Sequence, residues 1–415
     1  MLCGRAGRRT SHARGVPQLS PRPDGSDPAA ARCPLAVQVG SRHPCCTPPE
    51  RSLTSTPHPE ILSVGLALPP HFADQETLTA ALSAFWSRQH FNPERLAQIH
   101  RAALVQGRHL ALPLAEYAGL RGLGARNDAF IRVGLEVGEA ALRDGLARAG
   151  LEPRDVDHLF FVTVTGLATP SLEARLMNRL GMKPSVKRTP IFGLGCLAGA
   201  AGLARASDAL RAFPGEVAVL LSVELCSLTL QPEDLSIPNV VATGLFGDGA
   251  AAVVLGGGAR PPRPASPGAP GSPRVIDTRS VFYPDTEWVM GWDVVDSGFK
   301  IVLSAKVPEV VERHVGGDVD AFLGAHGLAR GDVRHWIAHT GGPKVLEAFR
   351  AGLGLPEAAL ARSYASLREV GNLSSASVLF VLADHLAAGE ARPGDLGLLA
   401  AMGPGFAAEL VLLRW

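Results

Sequence analysis

Two kinds of apolar pattern alternate along the chain. Short runs, largely apolar or β-branched, occupy 61–68, 158–165, 217–225, 250–255, 275–281, 397–401 and 407–412. Runs of this kind read as strands, and the most continuous of them as strands buried on both faces. Between them, 77–103, 127–149, 197–210, 307–323, 344–353 and 376–386 have helical character. In 127–149 the apolar positions are Ile131, Leu135, Val137, Leu142 and Leu146, and Gly150 follows as a stop. Strands alternating with helices through two consecutive halves imply an α/β fold, an αβαβα layered sandwich of pseudo-duplicated halves. The apolar pair Ile191-Phe192, the helix at 197–210 and the strand at 217–225 form a strand–helix–strand unit. That unit predicts a parallel pair with right-handed crossover.

Two stretches break the pattern. Residues 1–58 are rich in Arg, Pro, Ser and Gly, without apolar periodicity. Such a segment cannot bury enough surface to offset its ordering entropy, so a disordered tail is expected. Its acid-poor, Arg- and Ser-containing make-up resembles a transit peptide. The Ala-, Gly- and Arg-heavy usage of the whole chain favours instead a bacterial protein with an over-extended start. Residues 259–273 form a Pro/Gly linker, the one clear internal boundary. The expected division is thus a tail at 1–58, a first half at 59–258, the linker, and a second half at 274–415.

Composition narrows the function. Of 415 residues 46% are hydrophobic and 19% charged, which is globular. The net charge of +1 gives no basic field for nucleic acid. No run of about 18 apolar residues suggests a membrane span. Four of the six cysteines (Cys3, Cys33, Cys45, Cys46) lie in the tail, leaving Cys196 and Cys226 in the body. That usage fits a reducing, cytoplasmic setting without a disulfide framework. No Cys/His spacing resembles a zinc site, and Gly256-Gly257-Gly258 opens no helix, so no metal or nucleotide fingerprint is present.

The candidate chemistry centres on Gly193-Leu194-Gly195-Cys196. A cysteine between a strand end and a helix start meets unpaired backbone N–H groups and the positive end of the dipole, which favour a thiolate. The competing reading is a buried structural cysteine, the commoner fate of a free Cys. Two further residues at element ends shift the balance: His339 in His339-Thr340-Gly341-Gly342-Pro343, and Asn372 in Gly371-Asn372-Leu373-Ser374-Ser375. Alone, one is a satisfied histidine and the other a helix cap. Together with Cys196 they form a Cys/His/Asn set.

These segments, with Gly244-Leu245-Phe246-Gly247-Asp248-Gly249-Ala250-Ala251 and Met402-Gly403-Pro404-Gly405-Phe406, stand in the order of the type III polyketide synthases. The chain resembles that chalcone/stilbene synthase superfamily over roughly residues 60–415, on a thiolase-like fold. The resemblance implies Cys196, His339 and Asn372 as catalytic. It implies Phe246 and Phe299 as gates between a CoA tunnel and the reaction chamber. Cys226, Thr229, Val164, Glu224, Ser374, Gly403, Pro404 and Gly405 are implied as cavity residues. Thr169 would be the tip of a loop that enters the partner's site in a homodimer. Arg101, Arg108, Gly341 and Lys344 would hold CoA. The implied substrates are acyl-CoA and malonyl-CoA, with no metal or organic cofactor.

In condensing members of stilbene type, a Thr, a Glu and a Ser hold a water near the thioester. The Thr position falls on Val164 here, with Glu224 and Ser374 at the other two. Valine has no hydroxyl to complete that chain. The resemblance to bacterial alkylpyrone and alkylresorcinol enzymes therefore implies fatty acyl starters and an alkyl-α-pyrone product. The rival readings are a ketoacyl synthase using acyl carrier protein, a hydroxymethylglutaryl-CoA synthase, and a non-catalytic thiolase-fold protein.

Overall fold

The computed structural model describes residues 58–89, 91–260 and 271–415. The tail expected at 1–58 lies outside the described residues but for its last residue, and of the linker expected at 259–273 residues 261–270 lie outside them. The strands are β1 (Glu60–Ala67), β2 (His71–Asp74), β3 (Gly107–Leu110), β4 (His158–Thr163), β5 (Lys187–Phe192), β6 (Val217–Leu225), β7 (Asp248–Gly256), β8 (Arg274–Phe282), β9 (Met290–Val295), β10 (Gly298–Leu303), β11 (Val333–Ala338), β12 (Leu396–Gly403) and β13 (Ala407–Arg414). The helices are α1 (Gln75–Trp86), α2 (Pro93–Ala102), α3 (Gly122–Ala149), α4 (Leu172–Leu180), α5 (Ala198–Ala212), α6 (Ile237–Leu245), α7 (Val307–Gly324), α8 (Pro343–Leu353), α9 (Ala361–Val370) and α10 (Ser377–Ala388).

Nine strands form one sheet in the order β11-β12-β13-β8-β1-β7-β6-β4-β5. Five come from the first half of the chain and four from the second. The two sets meet at β1 and β8 through the single register pair Glu60 and Arg274. The sheet therefore behaves as two packed sheets joined at a corner. Period-2 alternation shows the layers directly. On β6, Ala218 and Leu220 face a central core, while Val217, Val219, Leu221, Val223 and Leu225 face α3. On β12, Leu399 and Ala401 face the same central core, while Leu398, Ala400 and Met402 face α7 and α8. The helices of the central layer, α5 and α10, lie between the two sheets. The result is the layered sandwich expected, with a thiolase-like fold.

Two local expectations change. The helical stretch at 77–103 is two helices, because Asn92 caps α2 and Pro93 begins it. The Asn92 side chain accepts from the backbone N–H of Glu94 and Arg95 at 2.9 and 3.2 Å. The strand–helix–strand unit around Cys196 is parallel, but its strands β5 and β6 are not neighbours. β4 lies between them, paired in parallel with each. Short strands such as β2, β3, β9 and β10 carry no apolar run long enough to announce them.

Candidate active site

Cys196 sits in a 3-10 turn (Gly195–Leu197) between β5 and α5. Gly195 has φ +52°, and a Cβ there would stand 2.6 Å from the Pro404 ring. Only glycine satisfies both constraints. The loop after β12 presses on this turn, since a Cβ on Gly403 would lie 2.7 Å from the Leu197 nitrogen. Gly403 and Pro404 thus brace the Cys196 turn, Gly405 lies instead against Ala407 and Phe282, and Pro404 lines the small cavity beside Cys196.

His339 follows β11, its N–H donating to the Ala400 carbonyl at 3.0 Å. Asn372 follows α9. Its Oδ1 accepts from the Ser374 N–H at 2.8 Å and from the Ser377 hydroxyl at 3.2 Å. A backbone N–H can only donate, so these bonds settle which amide atom is the oxygen. Nδ2 has no protein partner among the described residues. Cys196, His339 and Asn372 all line one cavity of about 40 Å³, together with Phe246 and Gly341. Three residues from three separate element ends are thereby brought together.

Burial sets their charge. The Cys196 thiol is pushed up to about 12, first by desolvation and further by the Glu224 carboxyl, with a weak hydrogen bond to Ser374 Oγ (3.8 Å) opposing. His339 is pushed down to about 4 by desolvation, and its Nδ1 is buried without a partner. Burial thus works against the thiolate expected from the helix terminus, and it disfavours the charged form of the imidazole as well. Desolvation of a fully enclosed sulfur outweighs the dipole of a helix that starts only after the 3-10 turn.

Phe246 caps α6 and borders three cavities. One is the cavity with His339, and a second, of about 30 Å³, holds Cys196, Val164, Trp292, Ile301, Ser374 and Pro404. The third is larger, about 170 Å³, and its walls include Leu78, Leu82, Phe85, Leu110, Cys226 and Thr229. Cys226 and Thr229 are thus cavity residues, but of a different cavity from the one His339 lines.

Several placements differ from expectation. Phe299 is buried against Phe192 and Trp292, with ring centroids 6.2 and 6.5 Å away. Ile301, two residues on along β10, lines both the small and the large cavity, as Phe246 does. Positions two apart share a strand face, so an aromatic motif alone could not tell them apart. Glu224 lies behind the cavity wall, fully buried, and burial raises its pKa. It accepts from the Val164 N–H at 3.1 Å and the Thr165 hydroxyl at 2.8 Å, and from Ser375. Ser375, not Ser374, holds Glu224. Ser374 instead turns toward Cys196, with φ +50°.

Arg108 is 1% exposed. Its Nη1 donates to the Phe246 carbonyl at 3.2 Å and its Nη2 to Gln75 Oε1 at 3.0 Å. An enclosed guanidinium so engaged does not meet a solvent-exposed CoA phosphate, and that expectation is corrected. Arg101 and Lys344 are exposed, at the end of α2 and the start of α8. Thr169 is exposed on a loop whose residues line no cavity beside Cys196; that loop borders a surface concavity with Phe192 and Arg188. The residues missed by sequence reasoning are Trp292, Ile301, Gln75 and Ser375. A signal existed only for Ser375, in the Ser374-Ser375 pair.

The profile of chalcone and stilbene synthases matches the chain twice, its N-terminal domain over residues 49–259 and its C-terminal domain over 275–415. The chain belongs to this family of type III polyketide synthases. It is 50% identical over 355 residues to a 1,3,6,8-tetrahydroxynaphthalene synthase of Streptomyces peucetius subsp. caesius, covering 86% of this chain and 93% of the relative. It is 35% identical to a 3,5-dihydroxyphenylacetyl-CoA synthase of Streptomyces toyocaensis, covering 88% and 92%. The crystal structure of the 1,3,6,8-tetrahydroxynaphthalene synthase of Streptomyces coelicolor A3(2) superposes with a TM-score of 0.79 at 31% identity, covering 86% and 99%. As a type III polyketide synthase the protein is an acyltransferase-type condensing enzyme that works on CoA substrates without a cofactor. The carrier-protein, hydroxymethylglutaryl and non-catalytic readings fall away. Among the described residues no helix is long and apolar enough to cross a membrane.

Proposed function

We propose that this polyketide synthase loads an apolar acyl-CoA on Cys196, extends it with malonyl-CoA and releases an alkyl-α-pyrone. The carrying observation is the large, mainly apolar cavity that meets the Cys196 cavities at Phe246. An acyl chain seated there leaves water, while its thioester end stays at the sulfur.

Burial disfavours charge on both Cys196 and His339, which supports a loading step in which the proton moves as the sulfur attacks. As the Cys196 sulfur attacks the thioester carbonyl, His339 takes its proton, and CoA leaves as the thiol after reprotonation. Malonyl-CoA then loses carbon dioxide, placing negative charge on its thioester oxygen. The Asn372 Nδ2 and a protonated ring nitrogen of His339 donate to that oxygen. The resulting carbon nucleophile attacks the acyl-Cys196 carbonyl, forming the new bond and expelling the cysteine sulfur. The extended chain, now a CoA thioester, returns to Cys196 with release of CoA before each further round. At the end an enol oxygen attacks the thioester carbon, the carbon–sulfur bond breaks, and the lactone closes as the sulfur leaves as a thiol carrying the enol proton. Val164, lining the cavity beside Cys196 without a hydroxyl, supports this route over one that activates a water.

The division into two halves joined at 259–273, a homodimer formed around the Thr169 loop, CoA contacts from Arg101, Gly341 and Lys344, and a cytoplasmic setting belong to the same proposal. The exposed Leu167 and Phe192 beside that loop support pairing of two copies there. The 50% identity to a tetrahydroxynaphthalene synthase favours a second reading, closure by carbon–carbon bonds to a polyhydroxy arene. Product analysis with malonyl-CoA alone, and with starters from acetyl-CoA to long-chain acyl-CoA, separates the two. Alkylpyrones from fatty starters are expected. Tetrahydroxynaphthalene from malonyl-CoA, without turnover of fatty starters, would overturn the pyrone reading and establish the second.

A further inference from the structure

Arg108 and Gln75 form a bracket around the segment that carries the gate. Gln75 opens α1, and its Nε2 donates to the carbonyls of Gly244 (2.8 Å) and His100 (3.0 Å). Its Oε1 accepts from Arg108, whose other arm reaches the Phe246 carbonyl. Both arms therefore grip the end of α6. No carboxylate stands within ion-pair distance of Arg108 among the described residues; Asp248 acts on it only across a longer gap. A buried charge kept without a close counter-ion is costly, so its hydrogen bonds to the backbone carry its role.

That segment is tied to Asn372 on its other side. The Asn372 N–H donates to the Leu245 carbonyl at 2.9 Å, and the Gly247 N–H donates to the Asn372 carbonyl at 3.0 Å. Phe246 and Asn372 thus form a parallel bridge. The arginine stem closes the arrangement, for a Cβ on Gly371 would lie 3.3 Å from Arg108 Cγ and Cδ. A shift of the Phe246 carbonyl would travel one residue pair to the Asn372 amide.

We propose that Arg108, oriented by Gln75, is a positioning residue for Asn372 and Phe246, setting the Nδ2 donor used in decarboxylation. The inference rests on the proposed division of labour, in which Cys196 carries the acyl group and Asn372 serves decarboxylation. Removing a support of this kind typically lowers activity about 10- to 100-fold. The test measures two half-reactions, labelled carbon dioxide release from malonyl-CoA and acylation of Cys196 by mass spectrometry. It uses Arg108→Met, Arg108→Lys and Gln75→Met, alone and combined with Asn372→Ala. Decarboxylation is expected to fall about tenfold or more in Arg108→Met and Gln75→Met. Acylation stays within about twofold, and Arg108→Lys recovers part of the loss. In the Asn372→Ala background neither variant costs anything further, because the group they position is gone. Parallel loss of both half-reactions, or losses that multiply with Asn372→Ala, would overturn the proposal. Should Arg108→Met fail to fold, Gln75→Met, which keeps the buried charge, decides by the same readouts. Full decarboxylation by Asn372→Ala itself would instead bring down the underlying assignment of Asn372, and this inference with it.

Discussion

At Cys196 the balance between desolvation and local dipoles determines the resting chemistry. Desolvation pushes this thiol well above its ordinary range, so little thiolate is expected at pH 7. Alkylation of the resting enzyme by iodoacetamide should therefore climb about tenfold per pH unit from pH 7 to 9. A plateau already below pH 8 would reveal a preformed thiolate and contradict proton transfer during the attack. Cys196→Ala should abolish acylation by acyl-CoA without unfolding the chain, as read by intact mass and circular dichroism. Persisting acylation at the wild-type level would end the nucleophile assignment. His339→Ala and Asn372→Ala should each slow malonyl-CoA decarboxylation about 100- to 1000-fold, the usual cost of losing one preorganised donor. Unchanged carbon dioxide release by either variant would contradict that role.

Among the elements, the central pair α5 and α10 matters most, since the turns before them carry Cys196 and Asn372. Their approach is set at Gly199, where a Cβ would stand 2.2 Å from the Ser375 carbonyl oxygen. Gly199→Ala should therefore push the two turns apart and destabilise the fold by about 1–3 kcal/mol, an overpacking cost. Urea unfolding followed by circular dichroism measures it, and a midpoint equal to wild type would show that the helices have room to slide. The helical patterns at 197–210 and 376–386 were visible in sequence. Their mutual contact was not, because a small residue reads the same at a helix interface and on a surface. Likewise β5 and β6 were legible as parallel partners of one helix, yet β4, far earlier in the chain, separates them.

For the whole molecule, the nine-stranded sheet, the central helices and the cavities all lie within residues 58–415. Removal of residues 1–57 should leave activity and melting temperature unchanged, since that stretch lacks the apolar periodicity needed to dock on the body. A drop of several degrees on truncation would show that it packs there.

Local chemistry and periodicity were enough for the layered α/β class, the central strands and helices, and the three element-end residues Cys196, His339 and Asn372. Those features depend on alternation, glycine turns and residue type, all of which are written along the chain. Tertiary structure alone decided that Ile301 rather than Phe299 lines the cavities bordered by Phe246, and that Ser375 rather than Ser374 holds Glu224. It also decided that Arg108 braces a backbone carbonyl from inside, and that burial disfavours the charged forms of Cys196 and His339. Each of these depends on which face a residue turns inward and on how much water reaches it. Both are set by distant segments closing over the site, and neighbouring residues in the sequence carry no record of that.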